Sequence, residues 1–312
     1  MKKVCALLLT AAVAVAAGAA EKKPLRVLMI GNSFSVSVMR ELPNIVDAQS
    51  EYVLDITSLY IGGCSLERHI REYETAKKDP SHRPYSVTRY VTGQGRLKRV
   101  YGNLIMALDA QKYDIITIQE ASPKSFFTDG WTKYGDRLVA VVREKQPQAK
   151  LLIHQTWSYR SNSPQLKKWN LTQETMFRKV REVVADRAKH FGCGVIPMGE
   201  AVQIWRKKAD KVTPLALPAE ELEKYKSADK VPPYRTCKGD LVGCYRRNKR
   251  GKIWCDLTHL NGDGNYMQGC VWFAFLFGAD ATKITYKPKF LTQKEAVLIR
   301  KCAAEAVAGK YE

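Results

Sequence analysis

Beyond residue 20, this chain of 312 residues has no apolar run long enough to cross a bilayer, which takes about 20 residues. It has no internal repeat. No Cys-x-x-Cys or His-x-x-x-His spacing is present, so its cysteines and histidines do not read as a structural zinc site. It contains neither the His-Glu-x-x-His of zinc proteases nor a Cys-x-Pro-x-Arg of the sulfatase type. A mid-chain Gly-x-Ser-x-Gly elbow is also missing: after Gly31-Asn32-Ser33 the fifth place is Ser35, and the motif lies on the first strand. Acidic residues are the scarce charge, 31 Asp and Glu against 51 Lys and Arg, for a formal net charge of +20. Such a chain is drawn to anionic polysaccharides, cell-wall polymers or lipid headgroups; a lysine-rich solvated surface accounts for the same excess.

The amino terminus reads as a secretory signal peptide. Lys2 and Lys3 precede an apolar run from Val4 to Ala17, and Gly18, Ala19 and Ala20 precede Glu21. Cleavage near Ala19/Ala20 removes residues 1–20. It leaves 21–312 as one large domain, exported to the periplasm or beyond. Seven cysteines survive, in a compartment where disulfides persist. Cys237 and Cys244 are the first choice for a bridge, and an odd count leaves at least one free thiol.

Short apolar strands alternate with helical segments. Strands are predicted at "LRVLMIG" from Leu25, at "YVLDITSLYIGG" from Tyr52, at Asp114–Gln119, at "KLLIHQTW" from Lys150 and at "CGVIPMG" from Cys193. A helix is predicted from Val36 to Gln49. Another opens at Asn170-Leu-Thr-Gln and stops at Gly192, a third is capped by Thr292 and Glu295, and Met267–Gly278 reads as a helix buried nearly all round. Strands apolar on both faces and separated by helices predict an α/β fold with a five-stranded parallel sheet in a three-layer α/β/α sandwich. Two segments break the alternation. Pro84–Gly95 predicts a small hairpin, and 206–252, with 14 Lys and Arg against 6 Asp and Glu, predicts a basic loop-rich excursion.

In open parallel sheets, reactive groups gather at the carboxyl ends of the strands. Ser33 follows strand one, Gly62 and Gly63 follow strand two, Gln119 ends strand three, and His154 and Gln155 end strand four. "CDLTHLNGDGNY" then brings Asp256 and His259 just before the buried helix. Each piece alone has a plain structural reading: Ser33 as a turn and helix cap, the glycine pair as a tight turn, Gln119 as a buried amide. Together they read as a serine nucleophile with a base, an acid and oxyanion donors.

These residues resemble the SGNH/GDSL hydrolases, which share this flavodoxin-like sandwich. The closer likeness is to a bacterial branch known only as a domain of unknown function, with its "GNSFS", "GGCSLE" and Q-x-x-S blocks. The resemblance spans roughly Leu25–Gly278 and leaves out the basic excursion. It implies Ser33 as nucleophile and its amide as an oxyanion donor, Gly63 as a second donor, His259 as base and Asp256 as the acid that orients it. Asn32 stands where the superfamily has aspartate. The usual Gly-x-Asn-Asp third block reads Gln119-Glu-Ala-Ser here, so Gln119 is the implied third oxyanion donor. Glu120, His154, Trp157, Tyr159 and Arg160 are candidates for substrate contact, each with an alternative structural role.

The expectation is a serine esterase that needs no cofactor or metal and removes O-acetyl or other O-acyl groups from an extracellular, possibly anionic, carbohydrate. No specific nucleic-acid partner and no transmembrane segment are expected. A lipid or small-ester acylhydrolase and a catalytically silent carbohydrate-binding protein on the same fold are the alternatives. A charge-driven nucleic-acid or cell-wall binder is a third.

Overall fold

Strand β1, Leu25–Gly31, buries Val27, Leu28, Met29 and Ile30 almost completely, as a strand covered on both faces must. In the computed structural model it is the middle of the sheet. The described residues are 22–208, 219–225, 230–232 and 239–309. The signal-peptide segment 1–20, Cys237 of the expected bridge and parts of the basic excursion lie outside them.

The remaining strands are β2 (Leu54–Tyr60), β3 (Tyr85–Val91), β4 (Gly95–Arg96), β5 (Val100–Gly102), β6 (Ile115–Ile118), β7 (Lys150–His154), β8 (Gly194–Ile196), β9 (Val242–Arg247) and β10 (Ile253–Leu260). Five of them form the expected parallel set in the order β2-β1-β6-β7-β8. The sequence did not place the Pro84–Gly95 hairpin relative to this set. Its first strand, β3, adds antiparallel to β2 and carries β4 and β5 beyond it, so the sheet is mixed and eight-stranded.

Among the described residues, six helices of ten or more residues sandwich the sheet: α1 (Leu66–Lys78), α2 (Asp136–Lys145), α3 (Gln173–Phe191), α4 (Met198–Lys208), α5 (Gly262–Phe277) and α6 (Gln293–Val307). The first three share one face and the last three the other. The capping box expected at α6 is formed, by Thr292 with Glu295. At α3 the box is made by Thr172 with Thr175, two residues after the expected Asn170–Gln173 pair, and Asn170 turns at φ +53° instead. Helix α5 begins earlier than its apolar run suggested, at the Asn261 cap, and residues 264–274 are all buried.

Two expectations need correction. The helix predicted over Val36–Gln49 is broken into Ser33–Val36, a 3₁₀ turn Ser37–Arg40 and Leu42–Asp47. Pro43 is the cause. It has no N–H to donate to the carbonyl of Met39, and its ring crowds that carbonyl; the Arg96 guanidinium donates to Met39 O instead. The segment 206–252 is less loop-like than expected. Arg206–Lys208 is the last turn of α4, and residues from Val242 onward form an antiparallel hairpin of β9 with β10. Charged residues on β9 and at the tip conceal its alternation. The tip is tied by Asn248, whose backbone N–H donates to Lys252 O and whose side chain accepts from Arg250 N and Lys252 N.

Burial also sets an acid sensitivity. His69 and His154 are fully enclosed, and loss of hydration pulls each imidazole down to about 3 from 6.5. Between those values the unfolded chain binds a proton at each site and the folded chain does not. Stability therefore falls as pH drops below about 6.5, by roughly 2.7 kcal/mol per pH unit for the pair. Denaturant titrations from pH 6 to 4.5 should show this slope, and His154→Gln should reduce it by about half. An unchanged slope in that variant would contradict a neutral buried His154.

Candidate active site

The turn after β1 is built for close approach. A side chain at Gly31 would put its Cβ 2.4 Å from Ser35 Oγ and 3.1 Å from Ser35 Cβ, so any other residue there would have to displace Ser35. The next residue, Asn32, is the helix cap: extended at φ −131° and ψ −154°, its Oδ1 accepts from Phe34 N at 3.0 Å. Capping by Asn32 leaves the hydroxyl of Ser33 available. It lies 2.7 Å from Nε2 of His259, a residue 226 positions later.

His259 is delivered by β10. Residues three apart in a regular strand face opposite ways, yet His259 Nδ1 meets Asp256 Oδ2 at 2.7 Å. The strand loses register between Asp256 and Leu260, and Asp256 Oδ1 accepts from the amides of Thr258 and His259 at 3.0 and 3.1 Å. Those bonds curl the chain so that the carboxylate reaches the ring. Arg246, on the neighbouring strand, donates through Nε to Asp256 Oδ2. Burial pushes the Asp256 carboxyl up, but its bonds and attraction to His259 and the Arg246 charge outweigh burial and hold it well below the usual carboxylate range. The group stays ionised, as an orienting acid must.

Beneath Ser33 runs a buried chain of hydrogen bonds with one direction. Gln268 Nε2 donates to His154 Nε2 at 3.4 Å, and His154 Nδ1 to Gln119 Oε1 at 2.8 Å. Gln119 Nε2 donates to Asn32 Oδ1 at 2.6 Å, and Asn32 Nδ2 to Cys64 O at 2.9 Å. A neutral His154 protonated on Nδ1 fits both of its neighbours. The chain ends on the turn that carries Gly62 and Gly63, where Gly63 adopts φ +60°, a conformation that favours glycine.

A cavity of about 470 Å³ opens in front of Ser33, within the size range of small-molecule sites. Ser33, Gly63, Asp256 and His259 line it together. Of the five candidates for substrate contact, Trp157 alone lines it, stacked on Phe34 with ring centroids 4.1 Å apart and donating to Thr258 O at 2.9 Å.

The other four, and Gln119, are corrected. Glu120 is buried and accepts from Leu66 N at 3.0 Å, at the start of α1; burial raises its carboxyl. His154 is in the buried chain. Tyr159 is buried and bonded to Ser122 at 2.7 Å. Arg160, 0 % exposed, pins the hairpin to the body by donating to Leu257 O and Val242 O at 3.0 and 2.8 Å. Gln119, expected as an oxyanion donor, instead turns its amide nitrogen to Asn32 and lines no part of the cavity. The common reason is depth: strand ends and the loop after β7 lie under the cavity floor, where polar groups must pair with one another.

Sequence reasoning passed over Arg40, Tyr60 and Trp254, all of which line the cavity. Trp254 and Asp256 are two apart on β10, and Trp254 lies directly opposite Arg246. For Trp254, recognising the hairpin was the missing signal, since alternation then puts it on one face with Asp256. Among the described residues, no cluster of three or more His, Cys, Asp or Glu side chains could hold a metal ion, and no helix is long and apolar enough to cross a membrane.

A family model described as "Domain of unknown function (DUF4886)" matches residues 26–213. The chain is similar in structure to a DUF4886 family protein from Bacteroides uniformis, with 25% identity, a TM-score of 0.72, and 92% of this chain and 95% of that one covered. Weaker likenesses are to a candidate SGNH hydrolase from Slackia heliotrinireducens (18% identity, TM-score 0.45, 80% and 97% covered) and to the acetyl xylan esterase AlAXEase (14%, 0.40, 80% and 98%). No curated protein matches the chain.

The buried chain makes Gln119 a test of the site's rigidity. Gln119→Met conserves volume but leaves His154 Nδ1–H and Asn32 Oδ1 short of a partner, so urea unfolding should show a loss of about 1–3 kcal/mol. A loss below roughly 0.5 kcal/mol, the level of an ordinary surface change, would contradict the assigned chain.

Proposed function

The chain belongs to the DUF4886 family, and we propose that it is a serine esterase in which Ser33 attacks an ester carbonyl. The observation that carries this reading is the linked pair of 2.7 Å contacts, Ser33 Oγ to His259 Nε2 and His259 Nδ1 to Asp256 Oδ2, open to a cavity. His259 takes the hydroxyl proton as the Ser33 oxygen bonds to the carbonyl carbon. Asp256 holds the ring with Nδ1–H toward itself and stabilises the imidazolium that forms. The imidazolium returns the proton to the departing alkoxide, leaving an acyl-serine. Water then repeats the sequence, with His259 as base, and releases the acid.

In this reading the tetrahedral oxyanion is held by the backbone amides of Ser33 and Gly63, in a site where buried amide and imidazole partners fix the turns that carry them. The expected side-chain donor from Gln119 drops out, because that amide supports Asn32. The proposed substrate is an O-acyl, in the simplest case O-acetyl, group on a carbohydrate. Exposed Trp254 at the cavity edge, with half-buried Tyr60 on its wall, supports it: aromatic faces suit sugar rings. Export follows from the pattern of residues 1–20 and is part of the same proposal.

Hydrolysis of an activated acetyl ester by residues 21–312 should be abolished by Ser33→Ala with no change in unfolding midpoint, because Ser33 is only half-buried. A fluorophosphonate should label Ser33. Full activity in the variant, or label on another residue, would contradict the assignment.

A further inference from the structure

The cavity in front of Ser33 is lined by two guanidinium groups, Arg40 and Arg246, and by one carboxylate, Asp256. That carboxylate is already engaged by His259 and by Arg246. Arg40 is different. It ends the 3₁₀ turn Ser37–Arg40 and is exposed, and among the described residues no carboxylate lies within ion-pair distance of its guanidinium. The adjacent acid, Glu41, instead accepts from Tyr286 OH at 3.1 Å and Asn44 Nδ2 at 3.3 Å. Among the described residues the cavity thus presents a guanidinium without an ion-pair partner, beside the hydroxyl proposed to react.

Resting on the esterase reading of Ser33, we propose that the substrate is an O-acyl ester on a sugar that also bears a carboxylate, and that Arg40 is the residue that recognises this carboxylate. A guanidinium matches a planar carboxylate with two parallel N–H donors, which fixes orientation as well as charge. Trp254, 45% exposed and directly opposite Arg246 across the hairpin, offers a face for the ring between the two groups. A neutral sugar would gain only weaker hydrogen bonds from Arg40, and an acyl chain none. The acids beside the substrate carboxylate are both engaged: Glu41 by Tyr286 and Asn44, and Asp256 by Arg246 and the His259 ring.

The test uses a matched pair of ligands: an O-acetylated methyl glucuronoside with a free carboxylate, and its uronamide, which has the same shape without the charge. Calorimetry on the Ser33→Ala protein measures binding without turnover. The uronate should bind tighter than the uronamide by roughly tenfold to a hundredfold, the range for hydrogen bonds to charged groups. Arg40→Gln in the same background should remove most of that preference, and Arg40→Lys should restore part of it, keeping the charge but not the fork. Acetate release by the protein with Ser33 intact should show the same preference in kcat/KM. Equal binding of the two ligands, or a preference that survives Arg40→Gln, would overturn the proposal while Ser33-dependent hydrolysis of an activated acetyl ester keeps the esterase reading in place. Absence of any Ser33-dependent hydrolysis would instead sink the esterase reading, and the binding comparison would still decide the role of Arg40.

Discussion

The structure turns on one buried carboxamide. Asn32 caps the turn after β1 through Oδ1, receives Gln119 on the same oxygen, and ties the Gly62–Gly63 turn down through Nδ2. In a site shielded from water each of these bonds must be made, because an unpaired buried polar group costs about 1–3 kcal/mol. The chain from Gln268 to Cys64 has a donor for every acceptor in one arrangement, so it permits one placement of β1, β2, β6 and α5 relative to one another. The loop that carries Ser33 and the loop that carries Gly63 are thereby held to the same post. In an electrostatic account of ester hydrolysis, that is the quantity that matters: donors must be in place before charge develops.

The second constraint comes from the hairpin. β9 and β10 stand outside the main sheet, and buried Arg160 and the Arg206–Asp240 ion pair fasten them to it. Because Asp256 and His259 ride on this hairpin while Ser33 rides on the sheet, alignment of the three depends on those anchors. It also places Arg246 against Asp256. The positive surface of this region therefore has a local consequence besides any long-range pull on an anionic ligand: Arg246 adds to the His259 interactions that keep Asp256 ionised.

The parallel sheet was legible because Leu25–Gly31, Ile115–Ile118 and Lys150–His154 are apolar runs bounded by helical sequence, a pattern with few other solutions. The linked contacts of Ser33 with His259 and of His259 with Asp256 were legible only through the joint placement of weak motifs and a family likeness. What stayed hidden did so for physical reasons. Gln119, Glu120, His154, Tyr159 and Arg160 are polar residues near strand ends, and sequence does not say whether such a residue faces the cavity or the layer below it. Pro43 was visible as a letter, yet the apolar spacing of Val38, Leu42 and Ile45 outweighed it in the reading. The hairpin's alternation was masked by Arg246, Arg247, Lys249, Arg250 and Lys252, whose charges resemble a solvated loop.

The claim that Ser33 is acylated can be tested by trapping the covalent species. The protein is mixed rapidly with an activated acetyl ester, quenched in acid within the first turnovers and digested, and the peptides are weighed by mass spectrometry. The account predicts that the peptide containing Ser33 gains the mass of one acetyl group, and that Ser33→Ala abolishes this while His259→Gln greatly reduces it. Acetylation confined to lysines, with the Ser33 peptide unmodified while ester is being consumed, would contradict it.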